Sequence, residues 1–219
     1  MRSLVSKALL IGGAALTALA IGTGSASAAT TFTVAAGSAP AGTTVAVTGA
    51  TTGTSPQVTF KDTTKNTTLT CASSTAKGST KTGTALSGTA IASINGAATL
   101  FNTCKGPFGL TFKVTGANTW KLNATSGSTT GANGTLTGVT ATVDGGTSCK
   151  FSVTGTVAGT YTNSTKALSF PGTTSTLTIS NVVGGCFGAI ASGDKASFKA
   201  SYLLTATTAA YNPVKITSP

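Results

Sequence analysis

A chain of 219 residues with fourteen basic and three acidic side chains, a net charge of +11 and no histidine is restricted at once in the chemistry it can hold. Without histidine there is no Ser-His-Asp or Cys-His relay, and without glutamate any carboxylate catalysis falls to Asp62, Asp144 and Asp194. The abundance of Thr, Ser, Gly, Ala and Asn is also the composition of disordered segments, so periodicity has to decide whether the chain folds.

The N-terminus reads as an export signal. Arg2 and Lys7 precede an almost wholly apolar run over residues 8–22, and Ala26-Ser27-Ala28 places small residues where signal peptidase cuts. That run, interrupted by Gly12, Gly13 and Thr17, is shorter than the roughly 20 residues a membrane-spanning helix needs, and a single arginine excludes a twin-arginine signal. Residues 1–28 are therefore expected to be removed, leaving 29–219 as a secreted domain, extracellular or associated with the cell wall. No later stretch is long and apolar enough to span a membrane as a helix.

From residue 31 onward the apolar residues recur with a period of two. Leu110, Phe112 and Val114 alternate with Thr111, Lys113 and Thr115; Trp120 and Leu122 with Lys121 and Asn123; Phe198, Ala200 and Tyr202 with Lys199 and Ser201. This is the pattern of strands with one buried face. It predicts strands near 31–35, 43–49, 57–61, 67–72, 84–94, 97–102, 109–115, 119–124, 134–143, 148–158, 166–170, 175–183 and 196–206. Turn signals fall between them at 61–66, 116–118, 144–146, 161–164 and 192–194, where Gly, Asn and Asp supply the positive φ that tight turns require. The buried parity switches between Leu136 and Val139, which a bulge at Gly138 would accommodate. No window outside the signal peptide has the periodicity of an amphipathic helix. The expectation is an all-β protein, an antiparallel sandwich or barrel of many short strands.

Large core residues are few: after residue 28 there are nine Phe, three Tyr and one Trp. Such a core leaves little margin at about 25 cal/mol per Å² of buried apolar surface, so covalent reinforcement is expected. Four cysteines in an exported chain favour disulfides. With no histidine and no two cysteines close in sequence they do not read as metal ligands. Cys71 and Cys104 are 33 residues apart, Cys149 and Cys186 37, and Cys104 and Cys186 each lead through a Gly- and Phe-containing stretch toward an alternating strand. That duplication favours the pairs Cys71–Cys104 and Cys149–Cys186, one in each of two possible halves, 29–125 and 126–219. The polar segment 126–134 between them reads as a long hairpin loop within one domain.

The signal peptide, the phrase Gly155-Thr156-Val157-Ala158-Gly159-Thr160-Tyr161-Thr162-Asn163 and the segment Gly185-Cys186-Phe187-Gly188-Ala189-Ile190 with Gly193-Asp194 resemble uncharacterised secreted proteins of actinobacteria. The resemblance implies export and carries no catalytic motif. Residues 31–52 are also similar, more faintly, to the Ig-like apoproteins that carry enediyne antibiotics, which are much shorter and close smaller disulfide loops.

Candidate site residues are sparse. A glycosidase would need two of Asp62, Asp144 and Asp194 as its acid and its base or nucleophile, yet each lies in a turn signal, where a carboxylate caps local amides. Ser74-Thr75-Ala76-Lys77 and Lys81-Thr82-Gly83 match penicillin-binding enzymes as strings only, because that serine must open a helix. No carboxylate cluster suits calcium, and no cofactor or metal is implied. Lys61, Lys65, Lys77 and Lys81, with only Asp62 among them, form the candidate binding patch. After residue 28, twelve lysines against three aspartates leave a charge of +9. With no arginine for bidentate contacts, nucleic acid is not the expected partner; an anionic cell-wall polymer or another surface protein is. The chain is thus read as a non-catalytic secreted or cell-surface protein, with a carrier of a small apolar ligand and an aspartate-dependent hydrolase as alternatives. Intact mass of the protein recovered from culture medium is expected to place Ala29 first, and retention of residues 1–28 would contradict export by this route.

Overall fold

The computed structural model describes residues 30–219; the segment read as a signal peptide, 1–28, lies outside the described residues. Within them the β-branched and aromatic residues that suit a pleated surface form fourteen strands joined by tight turns and four short 3-10 segments, with no α-helix. No helix there is long and apolar enough to cross a membrane.

Eight staves run up and down in chain order. The first is a broken strand, β2 (Thr44–Thr51) and β3 (Val58–Asp62), followed by β4 (Thr67–Lys81) and, after a short strand β5 (Gly83–Ser87), by β6 (Ala92–Lys105). The next is broken again into β7 (Thr111–Gly116) and β8 (Thr119–Ser128), and then come β9 (Gly131–Asp144) and β10 (Lys150–Thr162). A third broken stave, β11 (Ala167–Pro171) and β12 (Leu177–Val183), leads to β13 (Lys195–Ala206). Each stave pairs antiparallel with the next. The last returns to the first, with Leu204 opposite Gly49 and Phe198 opposite Phe60. The sandwich-like envelope is thus one closed antiparallel ring, an arrangement that leaves no edge strand.

The staves bend where one strand carries an extra residue. Thr137 and Gly138 of β9 lie between partners that on β10 are separated by Thr156 alone, and Gly138 has φ +71°, so the bulge expected from the parity switch is present. Thr75 and Lys77 of β4 flank a second irregularity.

Large side chains fill one end of the barrel. Phe60, Phe112, Phe151, Leu177 and Ile179 are buried there, with the Phe60 and Phe151 rings 6.0 Å apart. Both disulfides lie at this end. Cys71 and Cys104 are bonded across facing positions of β4 and β6, and Cys149, just before β10, is bonded to Cys186 in the turn after β12. In the loop-entropy picture each stabilises by roughly 3 to 4 kcal/mol. Two disulfides also point to an oxidising environment.

The other end is covered by a separate three-stranded sheet in which β1 (Thr31–Ala36) pairs with β5 and with β14 (Val214–Thr217). Phe32, Val34, Val45, Ile91, Ala206 and Val214 form its own buried cluster. Side chains fasten this lid. The Asn163 amide donates to Ile216 O and accepts from Ile216 N, both at 2.9 Å, so one side chain acts as a strand partner for β14. Tyr161 Oη donates to Val214 O at 2.7 Å.

The structure extends the strands beyond their expected bounds. β4 continues over residues 73–81, where alternation gave no signal because the inward side chains are small. The expected strand 84–94 is divided into β5 in the lid and the start of β6, and β14 was not anticipated. The segment 126–134, expected as a long loop, is almost all hairpin, with only residues 129–130 between β8 and β9. The possible boundary at 125/126 falls inside β8, and both possible halves supply staves to the same ring.

Candidate functional site

Alternation along a stave fixes which side chains enter the barrel, and in the lid half those side chains are too small to fill it. Gly49 of β2, Ala76 and Gly78 of β4, Ala92 of β6, Ala124 of β8, Gly134 of β9 and Gly159 of β10 all border a cavity of about 110 Å³. A β-carbon on Gly78 would collide with the carbonyl oxygen of Ser93, and one on Gly134 with that of Asn123, so close approach of neighbouring strands demands glycine at both positions.

Apolar bodies complete the wall: Val47, Ile94, Trp120, Leu122, Leu136, Leu168, Phe170, Phe198 and Leu204 from the staves, and Val214 and Ile216 from the lid. The aromatic residues with polar tips have those tips engaged. Trp120 Nε1 donates to Ala117 O at 2.8 Å, Tyr161 Oη is held by Val214, and Tyr202 Oη donates to the buried Ser74 Oγ at 3.0 Å. Burial pushes both phenols up to about 12, so neither ionises near neutrality. A well-studied engineered cavity of about 150 Å³ lined by Leu, Ile and Phe stays dry and admits benzene. The void here is of the same order and chemistry, suited to a benzene-sized body or a short alkyl segment.

The aspartates are placed differently from one another. Asp62 is fully buried. Its Oδ1 accepts N–H bonds from Thr64 and Lys65, each 2.8 Å, while Oδ2 is buried with no other partner and lies against the carboxyl of Asp194. Asp194, also buried, accepts from Ala191 N through Oδ2 at 2.7 Å. Burial first, and then the neighbouring Asp194, holds the Asp62 carboxyl above the usual carboxylate range. A proton shared between the two carboxyls would give the buried Oδ2 a partner. Turn placement, expected from the sequence, accounts for the amide contacts of all three aspartates; contact between Asp62 and Asp194, 132 positions apart, was not legible there. Asp144 caps Gly146 N at 2.9 Å and pairs with Lys150 at 2.9 Å, and that lysine is the first cause of its lowered pKa.

The four lysines do not converge. Lys61 lies opposite Thr68, about nine residues along β4 from Lys77, or roughly 30 Å at about 3.3 Å per residue. Lys65 sits in the turn beside Lys61, and Lys81 is near Lys77 at the lid end. Ser74 is buried and Lys77 exposed, so the Ser-x-x-Lys string has its two ends on opposite faces of the wall. Among the described residues no group of three or more Cys, Asp or Glu could hold a metal ion.

Comparison of the chain with protein-family models, with curated proteins and with solved structures finds no match. A carrier of a small apolar ligand was among the alternatives the sequence offered, but none of the residues that line this cavity was singled out for it. The signal available in the sequence was the run of Ala and Gly at alternate positions, as in Ala76 and Gly78 or Ala132 and Gly134, where a filled barrel would carry Val, Leu or Ile.

The buried carboxyl pair sets a pH dependence whose sign follows from the raised Asp62 pKa. The folded state holds this proton more tightly than the unfolded chain, so its contribution is full below the unfolded value near 3.8 and is lost as pH rises toward the folded value. Asp62→Asn keeps the Oδ1 acceptor and supplies an N–H toward Asp194. Urea unfolding at pH 4 and pH 7 is expected to show the variant gaining stability over the parent at pH 7, with the difference shrinking at pH 4; a less stable variant at pH 7 would show that the pair does not share a proton.

Proposed function

We propose that this chain is an exported, non-catalytic β-barrel protein that carries a small apolar molecule inside the barrel. The observation that supports this most directly is the cavity. Glycine and alanine keep it open, hydrocarbon and aromatic faces line it, and the polar tips of Trp120, Tyr161 and Tyr202 are bonded to protein atoms. A ligand in such a place gains from leaving water and needs few polar partners. Neither cavity tyrosine has a pKa suited to general acid–base work near neutrality, and the Asp62–Asp194 pair does not border the cavity.

Trp120 is the only tryptophan in the chain and borders the cavity, so its emission reports on occupancy. Titration with toluene or a short alkyl alcohol is expected to give a saturable change. Ala76→Leu, which fills the void, is expected to weaken binding at least tenfold, whereas Lys113→Ala, at an exposed position that does not border the cavity, leaves it unchanged. A linear, non-saturating response shared by parent and variant would remove the carrier reading.

A second reading, adhesion to an anionic cell-wall polymer, rests on the balance of exposed charge. Asp62 and Asp194 are buried and Asp144 is paired with Lys150, so the remaining lysines face solvent without a carboxylate partner among the described residues. Adhesion of this kind is expected to weaken as salt screens the lysines and when Lys61, Lys65, Lys77 and Lys81 are replaced by Gln. Retention on walls unaffected by either change would exclude it.

A further inference from the structure

Two large side chains at the disulfide end have no role in the core. Phe108 is 73% exposed and Phe187 61%, although they come from loops about 80 residues apart in the chain. Their rings pack against each other at 5.4 Å with planes inclined by 67°. Both residues have left-handed backbone, with φ of 58° and 54°, a conformation that is rare for bulky residues and that Asn or Gly would adopt more easily. Both loops are also fastened, because Cys104 is four residues before Phe108, Cys186 adjoins Phe187, and each cysteine is in a disulfide. The fold therefore holds two apolar rings together in water, in a conformation that disfavours them.

The same end of the barrel is basic. Lys61, Lys65, Lys105 and Lys195 lie on the strand ends and turns there, Lys65, Lys105 and Lys195 being exposed. The carboxylates at this end are the buried Asp62–Asp194 pair and the ion-paired Asp144.

We propose that the Phe108–Phe187 pair is a docking knob for an anionic lipid surface, with the phenylalanines entering the headgroup–acyl boundary and the surrounding lysines drawn to the negative headgroups. Lysines near such a surface act together over a Debye length, and apolar rings presented beside them add contact that a soluble polyanion cannot offer. The patch is small for a protein partner. The two rings expose roughly 270 Å² on the usual areas of aromatic side chains, against about 800 Å² per partner in a stable interface. The rings meet edge to face and carry no hydroxyl or indole N–H, so they present neither a flat platform nor a polar handle to a sugar. This surface is independent of the cavity and does not require the carrier reading.

The test is co-sedimentation of residues 29–219 with extruded vesicles of 30% phosphatidylglycerol in phosphatidylcholine and with vesicles of phosphatidylcholine alone, at about 0.1 M salt. The parent is expected to bind the anionic vesicles and to leave the neutral ones in solution. Phe108→Asn with Phe187→Asn, which suits the left-handed backbone, is expected to reduce the vesicle partition coefficient at least tenfold while circular dichroism and the urea unfolding midpoint stay as in the parent. Unchanged partitioning of the double variant, or no sedimentation with anionic vesicles, overturns the proposal. So does capture by soluble polyglutamate that depends on both phenylalanines in the absence of vesicle binding, which would assign the knob to a polymer. A parent dimer that the double variant abolishes overturns it as well, since the rings would then be an interface between copies.

Discussion

Leu204 faces Gly49 near the lid and Phe198 faces Phe60 near the disulfides, and through these pairings β13 closes the ring on both parts of the first stave. Everything else in the molecule depends on that closure. An open sheet of these strands would expose a long hydrogen-bonding edge and would leave its apolar face without an opposing layer. Closed, each stave's inward residues meet those of the opposite wall, and the number of staves fixes the width of the interior. Eight staves give a lumen that side chains can just fill, or that small side chains leave partly empty.

This barrel does both. Phenylalanines from β3, β7 and β10 meet Leu177 and Ile179 and pack the disulfide end solid, while Gly and Ala at the inward positions of β2, β4, β8 and β9 leave the lid end hollow. Such a void forfeits dispersion contacts along its wall, a loss that the chain offsets with two cross-links at the packed end and with the Asn163 and Tyr161 bonds that tie down β14. Material is thus concentrated where it stabilises and withheld where a ligand could sit. The three breaks in the staves let each long strand change partner along its length, from β3 to β2, from β7 to β8 and from β12 to β11, so one ring passes from the packed half to the hollow half without an edge.

The same distribution explains what the sequence disclosed and what it hid. Alternation was plain at Phe112 and Val114 or Phe198 and Tyr202 because those strands bring large side chains to the core, and the bulge at Gly138 was legible from the parity switch. The half of β4 from residue 73 onward passed unrecognised because Ser74, Ala76, Gly78 and Thr80 point inward, and residues that small carry almost no hydrophobic period. β14 is only four residues long and owes its place to the Asn163 side chain from a distant turn, which no local pattern encodes. The cavity was invisible for the same reason as β4: an absence of large residues reads as loop until the partners on the opposite wall are known. Contact between Asp62 and Asp194, likewise, exists only because the turn after β3 meets the loop before β13.

On this account the hollow half is a feature of the folded barrel and not a region of loose packing, and it takes up an apolar guest without rearrangement. The most direct measurement is a crystal structure determined under xenon pressure, since xenon enters apolar voids of this size and needs no specific recognition. The account predicts a xenon peak inside the barrel among Trp120, Leu122 and Leu204, with the lid strands β1 and β14 undisplaced. A lumen closed by side chains, or one holding ordered water in place of xenon, would contradict it.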